Sequence, residues 1–596
     1  MNLSAVLSRI KNQLTILQWL PGYTKEDLKG DLKSGVTVGV IEIPQVMAYA
    51  VIAGLSPIYG LYGSLIPLLI YPLFGTSRHL ALGIVATDMI IIASGASMIA
   101  EPGTDKYVSV VLLLTMLVGL VHIGLSLLRM GFLVNLLSKP VVYGFMAAAP
   151  IIIGFSQLGN LLGVDLDRSQ YIGVLTMQMI DQVSNINLFA LAIGGTGILF
   201  LVLIKKIYPL FPRDLVLLAV GGFAIWLMSM ERYDIDIIGP IPSGLPSFSL
   251  HEITLEDIRR LVPTITTLVL IQLMSVLSLG KTFAAKYNYP INSNREFFAL
   301  GMAGFIGSFF QSPPISGSFS RTAVSEQAGT RTPLSNMVCA VIIGLTLLFF
   351  TPLFFFIPIP ALAAIIIVST LSLINVQELK FFFRTKPEEA YIALFTFFSV
   401  LFIGIQEGIL LGVGASLFVV LYRSSRPNLA VLGHVPGTQL FRDVSHNPSA
   451  KPIEEILILR FDSSISFNNA EYIKDFIIHK SEERNKKIRA VVVDARSIND
   501  LDTTAIEALH SVTNTLNDWK IELHFAGLKN HIRDVLLRSG LARRLGGTHF
   551  HIGMHMAVKY LLNKWDEIDK VKRTGEANEN DSEPPHRLRD YLNNVG

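Results

Sequence analysis

Gln311-Ser-Pro-Pro-Ile-Ser-Gly-Ser-Phe-Ser-Arg-Thr-Ala-Val324 interrupts an otherwise apolar part of the chain. Backbone that is not helical cannot face lipid, because its N–H and C=O groups would have no partners. It persists at membrane depth only against protein or a watery cavity. A charge there is costly and marks function. Ser320 and Arg321 therefore point to a polar site inside the bilayer, and an arginine points to an anion. A transporter or channel follows as the first expectation.

Composition agrees. The chain has 596 residues, 51% hydrophobic and 16% charged, against about 25% charged in an ordinary soluble protein. This describes a polytopic membrane protein, not a soluble enzyme with one anchor. The net charge of +3 gives no sign of nucleic acid as a partner. The single cysteine, Cys339, rules out an intrachain disulfide and a cysteine-rich metal site, and reads as packing. No His-Glu-x-x-His, Cys-x-x-Cys or nucleotide-binding glycine loop occurs, so no metal, cofactor or catalytic centre is expected. His79 and His122 are isolated and read as structural, and Glu407 reads as a span-edge residue. The glycines of Gly194-Gly-Thr-Gly197 read as permitting close helix packing.

Working outward from the break, apolar segments recur near 32–54, 57–75, 83–99, 107–129, 140–162, 187–207, 213–230, 261–281, 296–311, 318–330, 334–356, 360–376, 388–404 and 407–423. Two are short and follow breaks: the third, after Phe74-Gly-Thr-Ser-Arg-His79, and the tenth, after Ser312-Pro-Pro-Ile-Ser-Gly317. Matching interrupted segments in two halves are the mark of an inverted repeat with its site at the midplane. Loops after even-numbered spans carry the basic residues, among them Lys205, Lys206, Lys281, Lys286, Lys380, Arg384 and Arg423. That side is expected to be cytoplasmic, with both termini inside.

The divisions expected are a cytoplasmic arm at 1–30 with an amphipathic helix near Leu14 to Leu20, and a transmembrane domain at 31–425. A linker at 426–452, a soluble domain at 453–565 and a disordered tail at 566–596 complete the chain. Strands are expected at Ile456–Phe461, Ala490–Asp494 and Ile521–Gly527. Helices are expected at Ala470–Ser481, Thr504–Asp518 and Lys529–Ser539, giving a small α/β domain.

The membrane part resembles the sulfate permease family, which includes the multifunctional anion exchangers. The resemblance rests on Pro44-Gln-Val-Met-Ala-Tyr-Ala50, Pro57-Ile-Tyr-Gly-Leu-Tyr62, Phe74-Gly-Thr-Ser-Arg-His79, Asn294-Arg-Glu-Phe-Phe-Ala-Leu-Gly301 and Gly317-Ser-Phe-Ser-Arg-Thr-Ala323. The soluble part is similar to a STAS domain, with Asp500-Leu-Asp-Thr-Thr504 in its characteristic loop. The resemblance implies an α-helical polytopic protein of about fourteen spans arranged as a seven-plus-seven inverted repeat with core and gate domains. It further implies homodimers, an elevator-like movement and half-helices at the third and tenth spans. The function implied is secondary active transport of small inorganic anions, sulfate first. Bicarbonate, chloride or a dicarboxylate, by symport, exchange or a channel, stays open. A different-class alternative is a transport-inactive, membrane-anchored STAS scaffold. The membrane expected is the plasma (inner) membrane, and the STAS part would offer a site for a cytoplasmic regulatory partner.

A half-helix that starts mid-membrane aims unpaired N–H groups and a partial positive charge at the cavity, which suits an anion. Ser320 adds a hydroxyl, or caps the helix. Arg321 adds a charge, by contact or through its field, or forms an internal ion pair with Glu326 or another buried acid. Gln45 and Tyr49 share a helix face. By resemblance they line the pocket with Val85 and Phe319, although Tyr49 in simple packing is the competing reading. Two features depart from the family. The third span begins Gly83-Ile84 rather than Gly-Pro, and the eighth, Thr264 to Gly280, has no acid: Gln272 and Ser275 stand there. Asp88 is a candidate for the missing proton or sodium site, with Glu42 second. Otherwise Asp88 only neutralises Arg321 across the site. Thr503 is a possible phosphorylation site, against a bland helix cap by Asp502 or Thr503.

Overall fold

The computed structural model describes residues 14–574, apart from 132–137, 165, 167–171, 209–210, 229–234, 251–253, 372–373 and 485–486. The chain divides into two compact units, Met1–Ser416 and Leu417–Gly596.

The first unit is helical. A short helix α1 (Ile16–Trp19) and a 3-10 turn (Leu20–Gly22) stand where an amphipathic helix was expected; residues 1–13 lie outside the described part. The first span is α2 (Lys25–Ile52), started by a reciprocal capping box between Thr24 and Asp27. Then come α3 (Pro57–Gly63), α4 (Ile66–Phe74), strand β1 (Leu82–Gly83) and the short α5 (Ala86–Ala96). Helices α6 (Asp105–Leu127), α7 (Lys139–Ser156), α8 (Leu158–Leu162), α9 (Ile172–Asp181), α10 (Leu188–Ile207) and α11 (Arg213–Met228) complete the first half.

The second half runs α12 (Leu255–Tyr287), α13 (Ser293–Ser308), strand β2 (Ser316–Gly317), the short α14 (Phe319–Ala328) and α15 (Leu334–Leu345). It ends with α16 (Ile359–Leu371), α17 (Val376–Thr385), α18 (Pro387–Phe402) and α19 (Ile405–Ser425). Every expected span has its helix. Two helices were not anticipated, α9 and α17. Of α17 only Phe382 is buried, so it lacks the continuous apolar stretch by which a span is read. Nine helices among the described residues are long and apolar enough to cross a membrane, and the protein is an integral membrane protein.

Between lipid-embedded helices there is little hydrophobic driving force, so small residues that allow backbones close together matter more. A side chain on Gly119 of α6 would lie 2.6 Å from the Phe305 nitrogen of α13, and one on Gly301 would lie 2.8 Å from the Gly119 carbonyl oxygen. Gly194 fits its packing role against Leu161, while Gly195 faces open space.

Strands β1 and β2 pair antiparallel, with Leu82 opposite Gly317 and Gly83 opposite Ser316. Their frame is specified by side chains. Asn336 donates to the Leu80 carbonyl (2.9 Å), and Thr322 accepts from the Ala81 N–H (3.1 Å). The turn before β1 is held by buried Glu296, which accepts from Tyr71, from the Thr76 amide and hydroxyl, and from the Ser77 amide. Helices α5 and α14 start directly after these strands.

The second unit carries a six-stranded sheet of order β4-β3-β5-β6-β7-β8. Its strands are β3 (Leu429–His434), β4 (Phe441–Asp443), β5 (Ile456–Phe461), β6 (Ala490–Asp494), β7 (Glu522–Ala526) and β8 (Phe550–His551). Strands β5 to β8 are parallel, while β3 and β4 form an antiparallel edge. One face is covered by α20 (Ala470–Glu483), α21 (Thr503–Asp518), α22 (Asn530–Arg538) and α23 (Leu541–Leu545), the other by α24 (Met554–Thr574). The stretch 426–452, expected as a linker, thus contributes two strands to the sheet. The terminal helix runs past the expected boundary at 565, so 566–574 is helical rather than a disordered tail; 575–596 lies outside the described residues.

Candidate functional site

The two half-helices begin at one pocket. Its lining includes Tyr49 of α2, Val85 to Thr87 at the start of α5, Phe145 and Met146 of α7, Ser275 of α12, Gly317 to Ser320, and Ser369 and Thr370 of α16. Val85 occupies the N-cap position of α5 and has no side-chain acceptor to offer, so the first N–H groups of that helix remain for a ligand. In α14 the cap is Ser318, whose hydroxyl accepts from the Arg321 N–H at 3.4 Å. This settles one open alternative: the cap is Ser318, and Ser320 stays exposed to the pocket beside Phe319, itself 41% exposed. Two helix N-termini and a ring of hydroxyls, with apolar side chains between them, line a pocket that holds no charged side chain.

Tyr49, Val85, Phe319 and Ser320 are brought together as expected. Arg321 is not in contact with that pocket. It is 1% exposed, and its Nη2 donates to the Ile84 carbonyl at 2.8 Å. Its Nη1 lies 3.6 Å from Glu42 Oε1. Neither Nε nor Nη1 has a hydrogen-bond partner among the described residues. The acid beside it is therefore Glu42, and neither Glu326 nor Asp88. Glu326 pairs with Lys286 at 2.8 Å and accepts from Tyr287.

Glu42 also accepts from Ser64 (2.7 Å) and from the Cys339 thiol (3.2 Å). These contacts place it as the buried counter-ion of Arg321. The Cys339 side chain does more than pack. Gly83 belongs to the same cluster: its φ is +142°, and a Cβ there would fall 2.1 Å from Glu42 Oε1 and 2.8 Å from Arg321 Nη2.

Gln45 stands apart from Tyr49. It lines a second hollow with Phe211, Pro212, Arg213, Asp214, Ser320, Arg321 and Val324, and its amide donates to Asp214 Oδ2 at 3.0 Å. Asp88 is fully buried one turn into α5. It accepts from Gln272 Nε2 of α12 at 2.8 Å and from Thr87 at 3.4 Å, and it forms no salt bridge among the described residues. Gln272 of the eighth span thus faces an acid from the third. Residues not anticipated are Phe145, Met146, Ser369 and Thr370 in the pocket and Asp214 on Gln45. Phe145, Met146, Ser369 and Thr370 come from helices whose apolar pattern is unbroken, so no local sequence signal marks them.

In the second unit Thr503 is exposed as the first residue of α21. Asp502 is the cap, accepting from the Ala505 N–H at 2.8 Å. His79 stacks on Tyr287 with ring centroids 4.2 Å apart, in keeping with a structural role.

Comparisons with known proteins agree with this architecture. Residues 28–396 match the model of the sulfate permease family, and 447–556 match the STAS domain. "Sulfate transporter 4.1, chloroplastic" of Arabidopsis thaliana is 33% identical over 91% of this chain and 82% of its own. A probable sulfate transporter of Mycobacterium tuberculosis is 29% identical over 92% of this chain and 98% of its own. Among solved structures, the murine Solute Carrier 26 family member A9 anion transporter, in its inward-facing state, superposes with a TM-score of 0.84 at 23% identity. The superposition covers 92% of this chain and 94% of that one, a likeness of fold.

Proposed function

The chain belongs to the sulfate permease family, and from that premise we propose that it is a secondary active transporter whose anion, sulfate first, sits between the N-termini of α5 and α14. The observation that carries this reading is the convergence of both half-helices on one hydroxyl-lined pocket. An oxyanion there meets backbone N–H groups and the hydroxyls of Ser320 and Thr87. Arg321 acts from behind the frame. Its charge is held against the Ile84 carbonyl, where it supports the positive ends of both helices without touching the ion.

Asp88 is the coupling group. A buried carboxylate whose polar partners are a glutamine amide and a threonine hydroxyl can take up a proton, or hold a sodium ion when ionised. Gln272 then turns its amide to suit. The core is proposed to move against the gate in a homodimer, with both termini on the cytoplasmic side of the plasma membrane and the STAS unit open to a regulatory partner. The hydrogen bond from Gln45 on α2 to Asp214 on α11 is one that such a movement would break and remake.

The test is radiolabelled sulfate uptake into proteoliposomes, with and without inward proton and sodium gradients. Gradient-driven uptake that Asp88→Asn uncouples supports the full reading. Uptake indifferent to both gradients keeps the pocket and removes Asp88 from coupling. Flux of bicarbonate or chloride without sulfate replaces the substrate, and no flux of any anion leaves the scaffold.

A further inference from the structure

Four imidazole and carboxyl side chains meet on one face of the sheet in the second unit. Glu522 and His524 alternate along β7, so they project to the same side. His551 lies on the neighbouring parallel strand β8, and His549 ends the 3-10 turn that leads into it. In sequence these are only Glu-x-His and His-x-His pairs far apart. The β7–β8 pairing, Phe525 against Phe550 and Ala526 against His551, brings them side by side. The ligand atoms of Glu522, His524 and His549 lie within 4.8 Å of one another. Zinc bonds of about 2.1 Å set a tetrahedral edge near 3.4 Å, within reach of small side-chain rotations. We infer that Glu522, His524 and His549 form a binding site for a divalent transition-metal cation of the zinc type, with water as its fourth ligand.

The surrounding hydrogen bonds prepare the rings for this. His549 Nδ1 lies 2.8 Å from the Leu523 carbonyl oxygen, which only accepts. Nδ1 therefore donates, which leaves Nε2 as the atom offered to a metal. His524 Nε2 lies 3.0 Å from Glu522 Oε2, and its Nδ1 lies 3.1 Å from His551 Nε2. Without metal, His524 donates to Glu522 and accepts from His551. With metal on His524 Nε2, both rings change tautomer: His524 Nδ1–H donates to His551, and no net proton is lost. A ligating histidine that donates its second nitrogen to a neighbour is the usual way such a ring is oriented.

A competitor is built in. Lys564 of α24 places its ammonium 2.7 and 2.9 Å from the two Glu522 oxygens. The cation must take one oxygen from it, which gives the inference a signed test. The full chain is purified in detergent without a histidine tag and titrated with Zn2+ against a chromogenic chelator, and with Co2+ for its visible absorption. One ion per chain is expected, with a tetrahedral cobalt spectrum. His549→Ala and Glu522→Gln, both at partly exposed positions, should weaken binding at least tenfold. His551→Ala should weaken it about 10- to 100-fold through the second nitrogen of His524. Lys564→Met should tighten it, a gain that misfolding cannot mimic. Absence of stoichiometric binding at micromolar free Zn2+ overturns the inference, as does full retention in His549→Ala or weaker binding in Lys564→Met.

Discussion

Arg321, Glu42 and Gly83 make one buried unit, and each is specified by the other two. Removing one member of a buried ion pair strands the other charge, at a cost of about 3–5 kcal/mol. Arg321→Gln should lower the thermal midpoint in detergent by several degrees and abolish uptake, and Glu42→Gln should lower the midpoint by a similar amount. The double variant should recover much of the midpoint and none of the uptake, because the field at the half-helix ends is still gone. Additive losses in the cycle would mean that the two residues act independently. Gly83→Ala meets both a left-handed φ and the Glu42 oxygen. Strain of about 1–3 kcal/mol applies before the steric term is counted. Gly195→Ala, with open space around it, should be neutral in the same assay.

At the scale of the element, the half-helices were legible because lipid leaves few options for broken backbone: a Pro-Gly-Ser interruption between apolar runs must line a cavity. Which side chain faces that cavity was not legible. Successive residues turn about 100° around a helix. Ser320 thus points into the pocket while Arg321 points behind the strands, and sequence alone cannot fix the starting angle. Gln45 and Tyr49 share a face yet sit about 6 Å apart along the axis, enough to place them in different hollows. Asp88 was read as a buried acid and Gln272 as a polar residue of the eighth span, but they lie 184 positions apart and no local pattern links them. The element also separates capping from binding. Ser318→Ala removes the cap of α14 and should cost about 1 kcal/mol in stability. Ser320→Ala should leave the melting curve unchanged and raise the KM for sulfate several-fold. Equal effects of the two on stability, with uptake by Ser320→Ala unchanged, would return Ser320 to a structural role.

At the scale of the whole molecule, a membrane unit of apolar helices and a soluble unit of alternating strands and helices are distinguished by composition alone, but their limits are not. The soluble sheet takes in β3, which contains Gly433, and the three-residue β4, joined across the Pro436-Gly437 turn. Among the described residues its second face is covered by α24. That helix buries Val558, Leu561, Leu562 and Trp565 against Ile456, Ile458 and Val492, and Arg489 lies over the Trp565 ring, 4.6 Å from its centroid. Burying a large aromatic is worth about 3–5 kcal/mol against alanine, and a domain of this size has only about 5–15 kcal/mol in hand. A chain ended after Gly553 should therefore expose an apolar sheet face, and its soluble unit should be degraded by limited proteolysis within minutes. Trp565→Ala should be intermediate, and a chain ended after Thr574 should be as resistant as the full length. If the chain ended after Gly553 resisted protease as well as the full-length protein, α24 would be a surface appendage rather than the second layer of the fold, and the position of Lys564 over Glu522 would lose its structural basis.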